Sequence, residues 1–158
     1  QAKAFALADA LGSRNLPRLL KILDQELWSI RSDSSRSEIG LLYGIISKMR
    51  TMLFLKEMIR EGWIAADAQY PRFKSMLERV PAEQLPADRR FNPLAMHPFM
   101  LYNALGQTRN YTSEELVQAM ELLLQCNMRL ISSQMEPGSV IQETLVKIAG
   151  NARVERAA

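Results

Sequence analysis

Apolar residues recur three and four positions apart through almost the whole of this chain, and nowhere do they alternate. In residues 16–30 the series Leu16, Leu19, Leu20, Leu23, Leu27 and Ile30 falls on one side of a cylinder with 3.6 residues per turn. No run of Val, Ile and Thr is bounded by turn residues, and no Asn-Gly or Asp-Gly pair is present to close a hairpin. The expected fold is therefore all-α, a helical bundle of about five to seven helices.

Capping chemistry places the boundaries. A first helix is expected over Ala2 to Leu11, ended by Gly12 in the left-handed conformation, and a second over Leu16 to Ile30, with Asn15 as its cap and Pro17 in its first turn. The polar stretch 31–37 leads into a long third helix from Ser37 to Glu61, closed by Gly62. Leu42, Ile45, Ile46, Met49, Met52, Leu53 and Ile59 define its core face. Leu55 and Met58 lie to the side of that face and are candidates for contact with a partner. Residues 63–94 carry Pro71, Pro81, Pro86 and Pro93, which predicts an insertion holding one short helix through Phe73, Met76, Leu77 and Val80. His97-Pro98 opens a helix to Gln107. Thr112-Ser113-Glu114-Glu115 has the spacing of a capping box and starts a helix to Ser132 with Leu116, Met120, Leu123, Leu124, Leu130 and Ile131 inward. Glu136-Pro137 starts a last helix to Gly150, carrying Val140, Ile141, Leu145 and Ile148. Residues 1–150 are expected to form one domain, with 151–158 a frayed tail.

Function must come from surfaces, because catalytic signatures are missing. A phosphate-cradling loop needs clustered glycines ahead of Lys and Ser/Thr, and the seven glycines are scattered. One His and one Cys fall short of a zinc site, so no metal and no cofactor is expected. His97 reads as a helix-entrance residue, and Glu114 and Glu115 suit the positive end of a helix dipole. Cys126 on an apolar stretch suits a small buried hydrophobe in a reducing cytoplasm. The apolar runs are too short to span a bilayer. Gly40 and Gly44 predict close packing on the third helix, since each costs about 1 kcal/mol relative to Ala. Asn127, near an apolar stripe, calls for a hydrogen bond.

The net charge of +3 is too small for a protein devoted to gripping nucleic acid. It permits one basic patch, for which Lys48, Arg50, Lys56 and Arg60 on the third helix are the candidates. With the aromatics Trp63, Tyr70, Phe73 and Phe91, this supports an alternative reading as a helical nucleic-acid-binding module.

Taken in order, the segments 5–12, the Leu-rich second helix, Leu41-Leu42 through Arg50-Thr51-Met52-Leu53 and Lys56-Glu57, His97-Pro98-Phe99, Tyr111 through Leu116 and the Glu136-Pro137 helix resemble the C-terminal domain of the bacterial DNA polymerase III delta subunit. That family belongs to the replicative clamp loader. The resemblance implies a non-catalytic collar domain, cut from a longer protein, that oligomerises with the C-terminal domains of the other clamp-loader subunits during sliding-clamp loading in DNA replication. DNA would be met only through the complex, and neither a membrane nor a small-molecule substrate is implied. The chain departs from the family in its longer, Pro-rich 63–92 segment, in Asn127 where an acidic residue is common, and in Ile131 where Lys is common.

Overall fold

The computed structural model describes the backbone of residues 2–157 and the side chains of residues 5–150. Within them lie seven α-helices and no strand: α1 (Ala2–Ser13), α2 (Leu16–Ser32), α3 (Glu38–Arg60), α4 (Tyr70–Leu77), α5 (Pro98–Gln107), α6 (Ser113–Ser132) and α7 (Pro137–Ala157). Single 3-10 turns at Ala82–Gln84, Pro93–Ala95 and Thr108–Asn110 punctuate the connections. The helix α7 passes through Gly150 instead of ending there; the side chains of the expected frayed tail lie outside the described residues.

Most helix starts follow the capping residues. The Asn15 side chain accepts from the Arg18 N–H, Ser37 from Gly40 N–H and Thr112 from Glu115 N–H, while the Glu115 carboxylate accepts from Thr112 N–H to complete the box. The end of α1 differs from expectation. Gly12 stays helical, and the left-handed residue is Arg14 at a φ of +57°. Asn15 N–H donates to Ala10 O and Arg14 N–H to Leu11 O, the paired bonds of a Schellman closure. Gly12 serves close approach instead, for a β-carbon there would sit 2.1 Å from Gln107 Oε1 and 2.8 Å from Lys48 Cε.

Two apolar cores share α3 as their spine. The larger gathers Leu7 and Leu11 of α1, Leu19 and Leu23 of α2, Leu42 through Met52 of α3, Leu116 through Cys126 of α6 and Val140 through Ile148 of α7. The smaller is built from the far half of α3, with Leu55 and Met58 meeting Ile64, Phe73, Leu77, Val80 and Leu101. The Pro-rich segment is thus the lining of a second core. Phe73 is buried there with Trp63 packed against the core, and Tyr70 meets Phe99 edge to face at 5.6 Å and lies obliquely on Tyr102 at 5.4 Å, whereas Phe91 stays exposed.

Candidate functional site

Leu55 and Met58, expected at a partner surface, are buried at 0 % and 1 % exposure. The reason is geometric. Met52, Leu55 and Met58 advance by three residues, so each step drifts roughly 60° round the helix, and the buried face of α3 rotates as it leaves the first core for the second. Neither side chain is free for a partner.

The four basic candidates are not brought to one face. Lys48 lines a hollow between α1, α3 and α5, and burial lowers its pKa to about 8 while Asp9 partly opposes the shift. Arg50 folds over the Phe91 ring at 4.9 Å. Arg60 is engaged by Glu57 at 2.7 Å and Glu61 at 2.9 Å, which hold its pKa up. Lys56 is half-buried.

Gly40 and Gly44 do not mark close helix packing. Both are exposed, and a β-carbon on Gly44 would meet nothing within 4 Å. His97 caps α5, its Nδ1 accepting from the Phe99 N–H at 3.1 Å. Cys126 is sunk in the larger core, where burial pushes its thiol up. Asn127 Oδ1 is buried without the partner that its position called for. No group of three or more His, Cys, Asp or Glu among the described residues could hold a metal ion, and none of their helices is long and apolar enough to cross a membrane.

What stands out is the second face of α6. Its core side is Leu116, Ala119, Leu123 and Cys126. Leu124 and Ile131, expected inward, are instead 59 % and 72 % exposed. They align with Val117 and Met128, also exposed. Summed at 100° per residue, this stripe lies roughly 130° round the helix from the buried side. Met135, just past the helix, is exposed as well, and Arg129 bridges it to Glu143 on α7 by donating to Met135 Sδ at 3.4 Å and to the Glu143 carboxylate at 3.2 Å. The sequence signal was present in two interleaved series: Leu116, Leu123 and Leu130 repeat every seven residues, as do Val117, Leu124 and Ile131. One buried face has room for only one of them.

A shallow groove of about 800 Å³ lies where α2 meets the start of α7, bordered by Leu27, Trp28, Arg31, Glu136 and Gln142. Trp28 is 72 % exposed at its edge. The first turn of α7 offers no anion site, because the Glu136 carboxylate already accepts from the Ser139 hydroxyl and from the Gly138 and Ser139 N–H groups, which together lower its pKa.

No known protein family, curated protein or solved structure matches this chain.

Proposed function

We propose that the chain is a non-catalytic protein-interaction domain of a clamp-loader delta-like subunit, docking through α6 onto the helical C-terminal domains of partner subunits. The observation that carries the reading is the Val117, Leu124, Met128 and Ile131 stripe, which projects from a helix whose other side already closes the core. Aligned exposed apolar side chains on one helix are the usual mark of a surface awaiting another protein. The resemblance of the ordered segments to the delta C-terminal domain supplies the identity of the partner.

The test is co-elution of the chain with candidate clamp-loader subunits, measured by light scattering. A defined complex is expected for the wild type and its loss for Ile131→Glu, with helicity unchanged by circular dichroism. Failure of the wild type to associate with any of them removes the reading.

A second reading, the nucleic-acid module, is favoured by one feature. Phe91 is exposed and sits between Arg50 and Arg90, whose guanidinium carbons lie 4.9 and 5.3 Å from its ring. Such a ring flanked by cations could stack a single-stranded base. Arg90, however, is held by Asp88 at 2.7 Å, which leaves little net charge for phosphate.

A further inference from the structure

A hollow of about 320 Å³ opens between α1, α3 and α5, walled by Phe5, Ala8, Gly44, Met96 and Met100, with Lys48 also in its lining. It exists because of what α3 lacks. The helix presents Gly44, Ser47 and Thr51 along this side, and the space that a Gly44 side chain would take is open. A second hollow of about 260 Å³ continues past Gly44 toward Gly40 and shares Ala8 with the first. The volume equals about ten waters, at roughly 30 Å³ each. It lies at the small end of ligand pockets.

Its polar groups are few and unbalanced. Asp9 and Lys48 are the charged residues in the lining. Asp9 is already occupied, since it accepts from Arg18 Nη1 at 3.1 Å and from Gln107 Nε2 at 3.0 Å. Lys48 has no hydrogen bond or ion pair among the described residues, and burial disfavours its charge. Thr51 spends its hydroxyl on the soft acceptor Met96 Sδ at 3.4 Å. The lining thus joins thioethers and an aromatic ring to a cation whose Cε lies by Gly12, beside the unpartnered Gln107 Oε1. Methionine walls adapt to unbranched chains, and a carboxylate would give Lys48 a charge-assisted bond.

We infer that this cavity binds a small apolar monocarboxylate, with its chain along Gly44 between Phe5, Met96 and Met100 and its carboxylate on Lys48 Nζ. The site is independent of the α6 stripe.

The probe is octanoate, titrated calorimetrically into the full chain at pH 7. Saturable one-to-one binding is expected, with octylammonium at least tenfold weaker. Lys48→Met should weaken octanoate at least tenfold, and Gly44→Leu, which fills the hollow, should abolish binding. Raising the pH from 7 to 10 should weaken binding as Lys48 loses its proton, Asp9 and its partner Arg18 being the other charges on that side. In methyl spectra octanoate should shift Met96 and Met100. Binding that survives Lys48→Met, octylammonium binding as tightly, or shifts confined to Leu124, Met128 and Ile131 would overturn the assignment. The Lys48→Met comparison and the methyl shifts decide the matter even if Gly44→Leu does not fold.

Discussion

Arg14 joins parts of the fold that sequence periodicity could not connect. It is 3 % exposed, and its guanidinium donates to Asn110 O at 2.7 Å, to Glu115 at 2.6 Å, and to the carbonyls of Ile148 and Ala149 near the end of the described core. It also lies over the Tyr111 ring at 4.4 Å. One side chain thereby ties the α1 corner to α6 and α7. Removing it leaves several buried acceptors unpaired, so Arg14→Ala should cost about 3 kcal/mol or more in urea denaturation. Arg14→Gly loses the same bonds but relieves the left-handed backbone, and should be about 1 kcal/mol less damaging than Ala; equal losses would show that the backbone is not strained. None of this was legible, because a lone Arg after Gly12 has no periodicity and its partners are some hundred residues away in sequence. Lys48 makes the opposite case. Its pKa falls from 10.5 to about 8 on folding, so between those values the unfolded chain holds the extra proton and stability should rise with pH. Below pH 8 the native state carries the full desolvation cost, up to about 3 kcal/mol. Lys48→Met should therefore be more stable than wild type at pH 7 by up to that amount, and the gap should close by pH 10.5. A gap constant with pH would place the cost elsewhere.

At the scale of elements, boundaries were legible and faces only partly so. Ser37, Thr112, His97-Pro98 and Gly62 each carry a local rule, and each sits where that rule puts it. Faces depend on what packs alongside, which local rules do not contain. The third helix was read as having one core side, yet Leu55 and Met58 serve a second core whose other walls, Ile64, Phe73, Val80 and Leu101, come from short elements whose pairing with the third helix no local rule states. Leu55→Asp should accordingly abolish folding or lower the melting temperature sharply, since a carboxylate in that core has no partner. The same helix offers a gain. Gly44 is helical with open space around its α-carbon, so Gly44→Ala should stabilise by about 1 kcal/mol. Gly62, at a φ of +78°, also has open space but the wrong backbone for a side chain, so Gly62→Ala should destabilise by about 1 kcal/mol. Opposite signs at two uncrowded glycines, read from thermal unfolding, would separate backbone conformation from packing as the cause.

For the whole molecule, the question is why a chain that closes two cores still leaves α6 apolar on its outer side. The larger core is complete without Leu124, Met128 or Ile131, because Leu116, Ala119, Leu123 and Cys126 already fill the space against α3 and α7. Charge replacement on the outer stripe therefore acts on association and leaves folding alone. Ile131→Glu and Leu124→Glu should each change stability by less than about 0.5 kcal/mol, as surface substitutions do. Together they should weaken a partner complex by tenfold or more if the stripe forms the apolar centre of the interface. Salt discriminates between the two readings of the protein. An apolar α6 contact should keep its affinity within a few-fold between 50 and 200 mM salt. Binding of single-stranded DNA through Arg50, Phe91 and Arg90 would fall with salt in proportion to the phosphates neutralised, and would be insensitive to Ile131→Glu. Measuring both ligands against both conditions tells the surfaces apart: a complex that resists salt and is lost on Ile131→Glu belongs to α6, whereas steep salt dependence that survives Ile131→Glu would transfer the function to the arginine-flanked ring.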